Sequence, residues 1–191
     1  MKPVDTTEVR KASFWVNQIF VLFATVIGVY LASSQGFKQA VAYEKLMSDK
    51  SSYYLRLSLR SELADNVQLV KAYAAKLKTG GFAARKEPFR LDTFVWDSMK
   101  FSPSALETPS VLLTGSRNFY RNVADIQAKV ADNTYGVENA IKLLNGLTDS
   151  MEKEILPLFD TDIKELRDLL DKNKIDVRDA RDAIQPSASP L

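Results

Sequence analysis

Phe14 to Leu31 reads FWVNQIFVLFATVIGVYL, eighteen residues without a charge, interrupted only by Asn17, Gln18 and Thr25. At about 1.5 Å rise per residue a helix of this length spans roughly 27 Å, close to the ~30 Å hydrocarbon core of a bilayer. Trp15 and Tyr30 stand near the two ends, where amphipathic rings prefer the headgroup boundary, and Arg10 and Lys11 close the N-terminal side. The run predicts one uncleaved transmembrane helix over residues 14–33. Ala32, Ser33 and Ser34 would also suit a cleavable signal peptide. Against that, the run exceeds the apolar region of about 7–15 residues that a signal carries. A fully buried helix of a soluble protein is the remaining alternative.

Orientation rests on the flanking cations. Lys2, Arg10 and Lys11 before the span are matched by Lys38, Lys45 and Lys50 after it, so the positive-inside count is a tie. A short N-terminal tail more often stays inside. The expectation is therefore a single pass through a bacterial inner membrane, with the C-terminal domain periplasmic.

Beyond the anchor the pattern is helical throughout. Asp5-Thr6-Thr7-Glu8 resembles a capping box and Gly36 marks a possible break. The Ser and Asp of MSDKSS, residues 47–52, suit either an interruption of the helix or its wet face. Leu55, Leu59, Leu63, Val67, Val70, Ala74 and Leu77 then recur at three and four residues, an amphipathic stripe that stops at Thr79-Gly80-Gly81. There a glycine is expected in the left-handed conformation. FAARKEPFR reads as a loop, followed by a short helix over about Leu91–Lys100 with Phe94, Val95 and Met99.

Thr108-Pro109 looks like an N-cap with proline at the first helical position, before an apolar face of Leu112, Phe119, Val123, Ile126 and Val130. After the turn Asp132–Gly136, a third stripe runs from Ile141 to Leu170, and Pro157 inside it predicts a kink near Lys153–Leu158. The fold expected is all-α. One N-terminal transmembrane helix leads into an up-down-up bundle of three long helices and one short one. Its parts are a tail over 1–13, the span over 14–33, a stalk over 34–52, the bundle over 53–175 and a frayed or disordered tail over 176–191.

Composition narrows the chemistry. The chain has no His and no Cys. A Ser-His-Asp or Cys-His nucleophile, the usual zinc sites, iron–sulfur clusters and His-ligated haem are therefore excluded. A formal charge of +2, with cations spread along the chain, gives nucleic-acid binding no support. No catalytic residue, metal ligand or cofactor site is assigned. The carboxylates from Glu152 to Asp171 mostly have partners at helical spacing, such as Lys164 with Asp168 and Arg167 with Asp171, the pattern of a solvated face.

The expected partners are other membrane-protein subunits and the lipid bilayer. Asn17 and Gln18 could hydrogen-bond a neighbouring span, and Ala24 and Gly28, four apart, permit close helix approach. A second helix of about 24 residues, roughly 36 Å, is too short to cover a first helix of about forty residues. Phe37, Val41, Tyr43 and Leu46 would then form a partly uncovered apolar stalk. Lys76, Lys78, Arg85, Lys86 and Arg90 could take an anionic partner, or could simply be cations at a helix C-terminus.

ELADN at Glu62–Asn66, FVWDSMK around Trp96 and NFYRNVADIQ around Tyr120 resemble a pattern of uncharacterised bacterial membrane-anchored helical proteins. The resemblance covers about Leu55 to Lys129 and implies no activity. Physically, Asn66, Trp96 and Tyr120 are expected to pack together with their polar atoms paired across helices, a small-ligand pocket being the alternative. The functional expectation is a non-enzymatic accessory or scaffolding subunit that docks on a larger membrane complex through its span and stalk. The alternative is a membrane-tethered sensor or ligand-binding bundle.

Overall fold

The computed structural model describes residues 6–87 and 89–177, and only the backbone of residues 6–13, 81 and 82. The first helix, α1, is continuous from Thr6 to Thr79 and carries the apolar run, Gly36 and MSDKSS without a break. A single exposed glycine costs a helix only about 1 kcal/mol relative to alanine, and long runs of helix formers on both sides outweigh it. The chain divides into two compact units, Met1–Lys45 and Leu46–Leu191.

In the first unit every apolar side chain from Phe14 to Leu31 is exposed, Phe20 to 72% and Tyr30 to 70%. The helix is long and apolar enough to cross a membrane: its best stretch has a mean hydropathy of 1.8, with none of it buried. The Thr25 hydroxyl donates to the Val21 carbonyl at 2.8 Å, so this polar group is partnered within the helix, as a hydrocarbon surrounding would require.

The second unit is all-helical among the described residues. After α1 come α2 (Gly81–Lys86), α3 (Phe94–Met99), a 3-10 turn (Pro103–Ala105), α4 (Ser110–Ala131), α5 (Val137–Ser150), a π-helical stretch (Met151–Ile155) and α6 (Leu156–Lys172). One core joins them. Leu59, Leu63, Val67, Val70 and Leu77 from α1 meet Leu112, Phe119, Val123 and Val130 from α4, and Leu144, Phe159 and Leu170 from α5 and α6. These belong to the stripes, of which Leu55, Ile141, Leu147, Ile155 and Leu166 are only half-buried, and Tyr53, outside them, is fully buried.

Ion pairs tie α1 to the last helical segment. Arg56 meets Asp162 at 2.8 Å, Arg60 meets Asp160 at 2.9 Å and Lys71 meets Glu152 at 2.6 Å, so partner numbers fall as those of α1 rise.

Several local expectations need correction. GFAARK is helical, not loop. Gly80 is right-handed, with φ −92°, and its need for glycine is spatial: a Cβ there would lie 2.6 Å from Ala84 Cβ and 2.9 Å from the Lys76 carbonyl oxygen. Among the described residues the left-handed non-glycine positions are Asn133 (φ 64°) and Lys174 (φ 59°). At the latter, Ile175 N–H donates to Leu170 O and Lys174 N–H to Asp171 O, a Schellman arrangement that overrides the strain of a non-glycine residue. Pro109 caps α4 rather than starting it. Lys174–Asp176 runs without helix, Val177 is buried, and the tail expected beyond it lies outside the described residues.

The disturbance before Pro157 takes a specific form. Proline has no N–H and its ring crowds the carbonyl four residues back, here that of Lys153. The chain widens to a π turn just upstream, where Leu156 N–H donates to Met151 O, five residues back.

Candidate functional site

On the first unit, Asn17, Gln18, Ala24 and Gly28 are all exposed, and a Cβ on Gly28 would meet nothing within 4 Å. Phe37, Val41 and Tyr43 continue the exposed apolar surface past the run, at 72%, 48% and 60% exposure. Leu46 is half-buried and belongs to the second unit. The small residues extend further than Ala24 and Gly28. Ala32, Gly36 and Ala40 continue at four-residue spacing, one ridge of five. The sequence carries that signal past the end of the apolar run.

In the second unit the MSDKSS serines neither break the helix nor all face water. Ser48 and Ser52 donate to the two carboxylate oxygens of Glu107 at 2.8 and 2.9 Å, and Ser104 donates to Ser51 at 3.0 Å. One turn on, Arg56 Nη1 donates to both carboxylate oxygens of Asp162, at 3.0 and 2.8 Å, and Nη2 donates to the Glu107 carbonyl at 2.6 Å. The carboxylates at 152, 160 and 162, read as a solvated face, are thus partners of α1. Local spacing could not reveal them, because the pairs lie 81 to 106 residues apart.

The structure does bring Asn66, Trp96 and Tyr120 together. Asn66 Nδ2 donates to the Asp92 carbonyl at 2.6 Å and Asp92 N–H returns a bond to Asn66 Oδ1 at 2.8 Å. Trp96 stacks on Tyr120 with ring centres 5.3 Å apart. The organising group is Glu62, which sequence reading had not placed at the cluster's centre. Its carboxylate accepts Tyr120 O–H at 2.7 Å and the backbone N–H groups of Val95 and Trp96 at 2.5 and 3.0 Å. Those two groups lie in the first turn of α3, which has no cap of its own. A carboxylate from another helix therefore supplies the cap and complements the helix dipole. Burial, and then the bond to Glu62 and its charge, push the Tyr120 hydroxyl far above the ordinary phenol range.

The same loop is pinned twice more, by Gln127 Nε2 donating to the Phe89 carbonyl at 2.7 Å and by Tyr73 stacking on Phe89 at 4.5 Å. Asn66 is fully buried and Tyr120 nearly so. The arrangement fastens a loop to two helices.

The basic group is partly committed. Lys76 pairs with Glu87 at 2.6 Å and Arg85 donates to Asn133 Oδ1 at 2.8 Å, so two of the five cations hold α2 in place. Lys78 and Arg90 are exposed. No group of three or more acidic residues is placed to hold a metal among the described residues. A groove of about 520 Å³ lies between α4 and the π turn, bordered by Asn118, Asn122, Ser150 and Glu154. No family model, curated protein or solved structure matches the chain.

Proposed function

We propose that the chain is a non-enzymatic accessory or scaffolding subunit of a larger membrane protein complex, anchored by a single pass and docked through the first half of α1. In this reading it lies in a bacterial inner membrane with the bundle on the periplasmic side. The observation that carries it is the apolar surface that outlasts the span: Phe37, Val41 and Tyr43 stand exposed on the same helix, beyond the length a bilayer core needs. The ridge from Ala24 to Ala40 supports it, since small residues let a partner helix approach closely. The three ion pairs, whose numbers run in opposite senses, set α1 antiparallel to the last helical segment, whereas an up-down-up order would make its first and third long helices parallel, so they lend that order no support.

The alternative, a tethered sensor built around Asn66, Trp96 and Tyr120, has less support, because the polar groups there already hold one another. The test is purification of the tagged full chain in a mild detergent, with a photo-crosslinking residue at Phe37. The expected result is a partner in fixed ratio, crosslinked at that position. A monomer that crosslinks only to lipid overturns the reading.

A further inference from the structure

The groove between α4 and the π turn plays no part in docking by α1. Its α4 wall carries Ser110, Thr114, Asn118 and Asn122. These are uncharged polar side chains at four-residue spacing, which sets a hydroxyl or amide about every 6 Å along one ridge. Among the described residues Thr114 and Asn122 engage no partner, and Asn118 only accepts a long contact from Arg121 at 3.4 Å. The facing wall brings Glu154, one of whose oxygens accepts the Ser150 hydroxyl at 2.9 Å. Met151 and Ile155 supply an apolar floor, and no Lys or Arg lines the space.

Backbone chemistry holds the groove in shape. The π turn forced by Pro157 sets Ile155 against Gly115, where a Cβ would lie 2.7 Å from Ile155 Cδ1. The two walls meet there and stand apart alongside. At about 520 Å³ the space falls in the range of small-molecule sites.

The lining selects a chemistry. An anion would face Glu154 with no cation to offset it. A purely apolar ligand would leave half-buried amides unpaired, which costs about 1–3 kcal/mol per group. A molecule with several hydroxyls, a C–H face and an ammonium group matches the amide ridge, the floor and the carboxylate together. We propose that this groove binds a small amino polyol of the amino-sugar class, its hydroxyls on Asn118 and Asn122 and its ammonium at Glu154.

The test is titration of the full chain, held in a polyoxyethylene detergent without a sugar headgroup, with glucosamine, glucose and ethylamine, followed by calorimetry or ligand-observed NMR. Glucosamine is expected to bind more tightly than either comparison compound. Asn122→Leu should weaken it by about 3- to 10-fold, the worth of one hydrogen bond. Glu154→Gln should bring glucosamine down to the affinity of glucose. Thr114→Trp, at an exposed position, should fill the groove and abolish binding while the helical circular dichroism is unchanged. Absence of saturable glucosamine binding to the folded wild type, or binding equal in the wild type and all three variants, overturns the proposal.

Discussion

Two halves of α1 carry apolar residues in opposite ways. From Phe14 to Leu31 they stand on every side of the helix and all are exposed. From Leu59 to Leu77 most of them keep to one stripe and are buried, while the other side is chiefly polar, with Leu69, Ala72 and Ala75 as its exposed apolar residues. The polar groups differ as sharply. Asn17 and Gln18 lie exposed within the apolar run, whereas Glu62 and Asn66 are buried and bonded to a loop 26 to 34 residues further along the chain. A helix apolar all round finds its solvent outside the protein, and a helix apolar on one side makes a core. One uninterrupted helix carries both patterns here, so the change lies in side-chain arrangement and not in backbone.

The contrast can be broken at its strongest point first. Phe119→Ala removes a buried ring against the α1 stripe and should cost about 3–5 kcal/mol in urea or thermal unfolding followed by circular dichroism. Phe20→Ala, the same change on the exposed half, should leave that transition where it was. A bundle equally destabilised by both would show that the halves are not energetically separate.

A charge tests the first half directly. Val21→Arg should add about 2.5–3.5 kcal/mol to the cost of membrane insertion and shift the chain toward the soluble fraction on alkaline carbonate extraction, with bundle unfolding unchanged. Full retention in the membrane pellet would count against a spanning role for this run.

Glu62→Ala sharpens the second half. It strips the cap from α3 and leaves the Tyr120 hydroxyl and two backbone N–H groups without their acceptor, at a cost of about 2–3 kcal/mol. In a Trp15→Phe background the emission of Trp96 should move to longer wavelength as its loop loosens. Unchanged emission and stability would mean that the loop is held by Asn66, Gln127 and Tyr73 alone.

The smallest effect is a pH dependence. The Tyr120 hydroxyl is held above its ordinary value of 10.0 in the folded chain, chiefly by burial and then by Glu62. Its contribution is therefore complete below pH 10 and is lost as pH rises from there toward the folded value, because only the unfolded chain readily gives up the proton. Tyr120→Phe should cost about 1 kcal/mol near neutrality and flatten the alkaline fall in stability. Parallel curves for the two proteins would remove Tyr120 from that limb.

Much of this was legible along the chain. The apolar run and the three stripes follow from periodicity and side-chain type, while Asn66, Trp96 and Tyr120 stand out through the motifs that carry the resemblance. The central place of Glu62 was not, because a carboxylate in ELADN looks like any residue on a wet helix face until α3 is set against it. Asp160 and Asp162 look like a solvated face for the same reason, their partners lying about a hundred residues away.

Local covalent chemistry was enough for the sequence to determine helices nearly everywhere, an apolar segment of membrane length, a disturbed turn before Pro157, and the absence of His and Cys chemistry. Each of these depends on neighbours within one or two turns. Only the tertiary structure decided that the turn before Pro157 widens against Gly115 and that Glu62 caps a helix it does not belong to. Those outcomes depend on which distant groups arrive close enough to accept a hydrogen bond or exclude a methyl group, and no spacing within a single helix records that.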